Sequence, residues 1–279
     1  MTTTLRPTGP ERSGPGGQRS RDFRVCVNSR PVGSVHIGTD RRWGPSVGRI
    51  HDLRVDEGDR RRGRGAVAVL TAEEVLRSWG CHRIEATLPA DATAALRLAG
   101  SLGYAERSRN MTKRLGGPGP ELPDGTASRP MEEAEYRVWE EKARQEYARS
   151  WLDRGLPADE ARAKAEADHA RLLPDGLRTP GAVLRVLLHR GVAVGALWLA
   201  VGRELPDGAG TYTFGVDVAP EHRGRGHGRS LMLVGEREST EAGAQRTGLH
   251  VFADNAPALG LYRSLGYETS RINIVKTLV

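Results

Sequence analysis

Residues 221–232 read EHRGRGHGRSLM, with glycines alternating at 224, 226 and 228 among Arg223, Arg225 and Arg229. A basic glycine-rich run serves as a disordered nucleic-acid tail, as a cradle for phosphate, or as solvated surface. Its flanks separate these readings. Upstream, TYTFGVDV alternates apolar Val216 and Val218 with other residues, the period of a strand. Downstream, Leu231, Met232, Leu233 and Val234 open a helical stretch over 229–242. A low-complexity tail is not wedged between a strand and a helix, so that reading falls back. A GxxxxGK[ST] phosphate loop needs a lysine that is not here, and a dinucleotide fingerprint needs GxGxxG where this run has GxGxG. What remains is a strand–loop–helix turn that presents backbone N–H groups at a helix N-terminus. Glycine permits the tight turn and close approach of an anion, and the helix dipole favours negative charge there. Arg223 and Arg225 add attraction, so the loop has the chemistry of a pyrophosphate site.

The rest of the chain repeats this unit. SLGY at 101–104 returns at 264–267, and the same offset superimposes Arg60 on Arg223, Gly63 on Gly226 and Gly65 on Gly228. Glu73 falls on Glu236, Asn110 on Asn273 and Lys113 on Lys276, while VGSV (32–35) and VGAL (194–197) match one residue out of step. A register sustained with coincident glycines marks a duplicated domain. The predicted organisation is an N-terminal segment over 1–20, a first repeat over 21–115, a Gly/Pro-rich linker over 116–130 and a second repeat over 131–279. Residues 7–20 have no apolar period and read as a flexible loop.

Each repeat reads as a strand hairpin, a strand leading into the glycine loop, a helix, a strand, a helix and a closing strand. That pattern predicts an α/β fold with a sheet of mixed direction. The second repeat alone carries an entry region in which Tyr136, Trp139, Ala143, Tyr147 and Trp151 recur on one helical face as core, followed by a helix opening at Pro157.

Composition bounds the function. The chain has 279 residues, 38% hydrophobic and 28% charged, with a net charge of +7 carried almost wholly by arginine. Such a balance builds ordinary globular cores and attracts an anion, either a phosphate-bearing cofactor or nucleic acid. No apolar run is long enough to span a bilayer, and MTTTLRPTGPERSGPGG has no apolar core of a secretory signal. Cys26 and Cys81 lack metal-ligand spacing, which predicts no metal site and fits a reducing cytoplasm.

Two motifs together resemble a known family. Arg223 to Gly228, after a strand ending VDVAPEH, is similar to the acetyl-CoA signature R/Q-x-x-G-x-G/A of the GNAT N-acetyltransferases. Asn255, Ala258, Leu261, Tyr262, Gly266 and Tyr267 fit that family's N-x-x-A-x-x-L-Y-x-x-x-G-[FY] pattern. The tandem arrangement resembles that of mycothiol synthases. The resemblance implies two GNAT folds, each a twisted, mostly antiparallel sheet in which a central parallel pair splays to admit pantetheine between flanking helices. It implies direct transfer of acetyl from acetyl-CoA to a primary amine. Val216 and Val218 would hold the pantetheine and polarise the thioester carbonyl, with Arg223, Gly224, Arg225, Gly226, His227, Gly228 and Arg229 around the pyrophosphate. Asn255 would position cofactor or water, and Tyr262 would protonate the departing thiolate.

The general base is harder to place. The strand before the loop offers only Tyr212 and Asp217, and alternation turns Asp217 away from the face of Val216 and Val218. Asp217 is a base candidate beside Tyr212, a water chain or an acceptor that arrives already deprotonated, and His169 reads as surface or acceptor wall. In the first repeat Arg60, Gly63 and Gly65 keep the phosphate signature, and His51 and Asp52 lie near the family's usual base position. Ala92 and Ala99 replace Asn255 and Tyr262, so that repeat reads as non-catalytic, whether or not it binds CoA. The competing expectations are a CoA-binding regulator or scaffold without efficient turnover, and a nucleic-acid binder. The expected acceptor is a small-molecule or peptide amine, with no membrane partner and with homodimerisation open.

Overall fold

The computed structural model describes residues 2–40, 44–202 and 205–278. The first repeat runs β1 (Thr3–Pro7), β2 (Arg12–Gly14), β3 (Gln18–Val27), β4 (Arg30–Asp40), β5 (Gly44–Val55), α1 (Arg64–Ser78), β6 (Arg83–Pro89), α2 (Thr93–Ser101) and β7 (Ala105–Arg114). The second runs β8 (Thr126–Pro130), α3 (Glu133–Leu152), α4 (Ala158–Leu172), β9 (Ala182–His189), β10 (Val192–Val201), β11 (Thr211–Val218), α5 (His227–Glu241), β12 (Arg246–Phe252), α6 (Ala256–Ser264) and β13 (Glu268–Thr277).

These elements gather into two compact units, residues 1–108 with 271–279 and residues 109–270. In the first unit the strand order is β1-β3-β4-β5-β6-β13, antiparallel except for the parallel β5–β6 pair, with β2 on β3. In the second the order is β7-β12-β11-β10-β9-β8, with β11–β12 the parallel pair. Each is the mixed α/β sheet that the repeat pattern predicts. The units differ from the repeats at their two closing strands. Residues 109–114 of β7 belong with the second repeat's sheet, and residues 271–277 of β13 pair with β6 from Arg271↔Pro89 to Thr277↔Arg83. Each repeat therefore receives its closing strand from the other.

The N-terminal segment is more ordered than its composition suggests. Residues 7–20 are not a flexible loop, since Arg12 to Gly14 pair with Ser20 to Gln18 across a turn at 15–17, and ahead of them Thr3 to Pro7 pair with Val27 to Phe23, with Leu5 packed beside Val25 and Val27. Likewise β8, within the Gly/Pro-rich 116–130 run, pairs with β9.

The two repeats share a register in detail. His36 sits opposite Asp22 and Asp52, as Trp198 sits opposite Leu184 and Gly215. A β-bulge follows at the same place, leaving His51 and Phe214 as the extra residues. The parallel pairs then stop at equivalent points, after Ile50↔Ala86 and after Thr213↔Leu249. Beyond these points the neighbouring strands separate.

Core packing explains which face carries which helix. Val35, Ile37, Leu76 and Ile84 are at most 1% exposed and join the sheet to α1 in the first unit. Leu197, Leu199, Leu231 and Val234 do the same with α5 in the second. Each such side chain contributes about 1.5–3 kcal/mol by leaving water. The opposite face of the second sheet, Leu184, Val186, Ala196, Trp198 and Phe214, packs on Tyr136 and Trp139 of α3. Among the described residues the first unit has no α-helix before β3, only a single 3-10 turn at Pro15–Gly17.

Candidate functional site

The glycine loop is built as its spacing predicts. Gly224 and Gly226 have φ of 74° and 84°, left-handed values that a side chain would strain, and an added Cβ at either would point into open space. Gly226 is the N-cap of α5 and has no side chain to cover the first N–H groups, which therefore face outward. Gly228 lies where a Cβ would touch Leu261 at 3.4 Å, so it sets how closely α5 packs on α6. Arg223 folds back, its Nε donating to the carbonyl of Val218 at 3.0 Å, which closes the loop against the end of β11.

The other basic residues divide by direction. Arg225 is exposed, and Arg229 donates to Ser264 and ties α5 to α6. His227, the first residue of α5, turns inward and is buried against His189 and His222, with ring centroids at 5.1 and 6.2 Å. Burial, then the charges of His189, His222 and Arg225, hold its imidazole below the usual histidine range.

Beyond the splay, Val216 and Val218 pack toward Leu231 and Val234 of α5, while Asp217 points to the other face. There Lys142 of α3 donates to Asp217 at 2.6 Å. Tyr212 is buried in the same strand, its ring 5.0 Å from Phe214, and fills the space where a side chain at Gly248 would stand. His169 is buried rather than on the surface, its ring edge-on to Trp198 at 5.4 Å and tilted against Tyr147 at 6.3 Å. Burial lowers its pKa, so it is a neutral part of an aromatic layer with Trp139, Trp198 and Phe214.

Asn255 and Tyr262 are joined by one helix. The Asn255 side chain caps α6, its Oδ1 accepting from the Ala258 N–H at 3.2 Å. Two turns on, the Tyr262 ring is 9% exposed among Met232, Leu249, Leu259 and Val216. Burial raises its pKa to about 12, so the phenol carries its proton at any physiological pH. Leu249 is also the last residue of β12 paired with β11, so Tyr262 packs at the point where those strands part.

The first repeat reproduces the cradle without the tyrosine. Gly63 has φ 73° and caps α1, a Cβ at Gly65 would touch Leu98 at 3.2 Å, and Arg60 Nε donates to the Val55 carbonyl at 2.8 Å. Arg61, at φ 56°, takes the left-handed turn that Gly224 takes in the second repeat. Ala92 begins α2 with no side-chain cap, and Ala99 is buried in the core. Sequence reasoning missed the Lys142–Asp217 pair and the aromatic layer. Comparing Leu184, Val186 and Trp198 with Asp22, Arg24 and His36 at the offset of 162 was the signal that marks this face as different between repeats.

The model of the acetyltransferase (GNAT) family matches residues 13–104 and again 136–267. A mycothiol acetyltransferase from Kytococcus sedentarius is 32% identical over 256 residues, covering 81% of each chain. Among solved structures, a GCN5-related N-acetyltransferase from Sphaerobacter thermophilus aligns with TM-score 0.58 and 21% identity over 92% of this chain and 80% of that one. A tandem GNAT protein from the clavulanic acid biosynthesis pathway aligns with TM-score 0.52 and 20% identity over 95% and 85%.

Proposed function

Since this chain belongs to the acetyltransferase (GNAT) family as an N-acetyltransferase with two tandem domains, we propose that transfer runs in the second repeat and that the first repeat binds acyl-CoA at its own loop. The carrying observation is the buried, proton-bearing Tyr262 packed at the splay of β11 and β12, on a helix capped by Asn255.

The residues fit acetyl-CoA because two left-handed glycines leave open space before the N-terminus of α5 and because the parallel strands part beyond Thr213. Backbone N–H groups of the loop through Gly228 bind the pyrophosphate, with Arg225 adding charge. The strand beyond the bulge, Val216 to Val218, pairs with the pantetheine arm and stabilises negative charge on the thioester oxygen. Acetyl-CoA supplies the activated acyl group. The site holds the amine against it, which removes translational freedom from the barrier. Tyr262 donates its proton to the leaving sulfur. Asp217 is engaged by Lys142, so in this reading the pair orients α3 and the amine proton leaves to water.

The acceptor is a small-molecule amine, entering on the face of α3 beside Trp198, Phe214 and the Lys142–Asp217 pair. Two free, buried cysteines accord with a cytoplasmic enzyme. The test is release of CoA thiol from acetyl-CoA across a panel of amines that includes mycothiol-related ones, with Tyr262→Phe beside the natural chain. Tight acetyl-CoA binding with no turnover on any amine would favour a CoA-responsive scaffold.

A further inference from the structure

The sheet face that α3 covers in the second unit is rewritten in the first. At equivalent register positions Leu184, Val186, Ala196, Trp198 and Phe214 become Asp22, Arg24, Ser34, His36 and His51. Five core positions have become polar. The ring pair at the bulge keeps its geometry while its chemistry changes. Trp198 and Phe214 have centroids 5.1 Å apart at 35°, and His36 and His51 have centroids 5.0 Å apart at 40°.

The histidine pair is also supported. His36 Nδ1 lies 2.6 Å from Asp22 Oδ1, and Arg12 donates to the other carboxylate oxygen at 2.6 Å. A carboxylate only accepts, so His36 donates from Nδ1 and its tautomer is fixed. Against the desolvation of its site, the hydrogen bonds from Arg12 and His36 hold the Asp22 carboxyl below its usual range. Gly38 leaves room for the second ring, since a Cβ there would stand 3.1 Å from His51 Nε2. His51 is exposed, at the residue after the last β5–β6 pair.

The two repeats therefore divide the usual acid and base between them. The second has a phenol for the leaving group and an aromatic ring at the bulge, and the first has an imidazole at the bulge and Ala99 in place of the phenol. We propose that the first repeat is a second acyl-CoA-consuming centre, a thioester hydrolase in which His51 is the catalytic base and the Asp22–His36 pair positions it. Water is the nucleophile because His51 is exposed to solvent. His51 takes a proton from water as the water oxygen bonds the acyl carbon. The C–S bond then breaks, and the imidazolium returns that proton to the departing sulfur, leaving a carboxylic acid and CoA thiol. The charged and titratable groups around His51 are the His36 ring beside it, Asp22 and Arg12 behind His36, and its strand neighbours Arg49 and Asp52.

The inference rests on acyl-CoA as the ligand of the first repeat but not on amine transfer in the second. The experiment uses the full chain with acetyl-CoA and no amine. Expected are thiol release above the buffer rate, an ~100-fold loss in His51→Gln, and a smaller loss with a displaced pH profile in Asp22→Asn. An independent readout is binding: calorimetry with CoA should give two sites per chain, and CoA should shift the His51 imidazole resonance. Hydrolysis equal in His51→Gln and the natural chain overturns the proposal. So does a single CoA site with an unmoved His51 signal, even where amine transfer is intact.

Discussion

The Lys113 ammonium donates to both carboxylate oxygens of Glu236, at 2.8 Å each, and Lys276 makes the mirror contact to Glu73 at 2.7 Å. Lys113 belongs to the first repeat in sequence yet serves the helix of the second, and Lys276 does the reverse. The tyrosine of each SLGY segment lies beneath the same ammonium, Tyr267 at 5.8 Å from Lys113 and Tyr104 at 5.5 Å from Lys276. These two contacts are the chemical signature of the exchanged strands.

Glu236 is 4% exposed, so removing its cation leaves a buried charge uncompensated. Lys113→Met should lower stability by about 2–4 kcal/mol. The urea midpoint measures it, and adding Glu236→Gln should recover most of the loss.

Tyr262→Phe should lower kcat of amine acetylation about a hundredfold and kcat/KM in proportion, with the acetyl-CoA dissociation constant unchanged. Steady-state kinetics beside equilibrium binding separate the two. A weakened acetyl-CoA affinity with kcat intact would make Tyr262 a packing residue.

The raised pKa of Tyr262 has a pH consequence. Burial favours the neutral phenol, taking its pKa from about 10 unfolded to about 12 folded. That contribution to stability is complete below pH 10 and is lost as pH rises from 10 through 12. No fall in kcat between pH 8 and pH 10 should therefore trace to this group, and a pH–rate profile extended past pH 10 tests it.

At Gly226 an alanine must hold φ near 84° at a cost of about 1–2 kcal/mol, though its Cβ meets nothing. Gly226→Ala should weaken acetyl-CoA binding roughly tenfold with little change in kcat. Gly63→Ala should weaken the first-repeat CoA site alike, and calorimetry resolves the two.

Cutting the chain in the 116–130 run separates each repeat from the strand that completes it. The fragment 131–279 alone should lack the cooperative near-ultraviolet signal of the whole chain, and coexpression with 1–130 should restore it. Circular dichroism and size-exclusion chromatography check both outcomes.

The duplicated register, both glycine turns before α1 and α5, and the helix bearing Tyr262 were legible in the residues, because glycine spacing and apolar period are local properties. Strand exchange was not. Lys113 and Lys276 align at the repeat offset whichever glutamate each one meets, so only pairing in space distinguishes the arrangements. Asp217 was legible as turned away from Val216, through simple alternation, but its capture by Lys142 depends on how α3 crosses the sheet. The order of residues 7–20 was hidden because the hairpin of Arg12–Gly14 on Gln18–Ser20 is held by backbone pairing and polar contacts such as Arg19 to Glu11, which leave no apolar period. His169 read as surface or acceptor wall and is buried, since the ring it packs on, Trp198, comes from a distant strand.

The exchanged strands also set an order of folding. Residues 83–89 find their partner only when residues 271–277 exist, so the earlier-made sheet stays open at β6 while the later one is being synthesised. Its contacts are long-range in sequence, which slows closure and leaves a hydrogen-bonding edge exposed in the meantime. The glutamate on α1, Glu73, waits with it, without its lysine, until the last strand arrives.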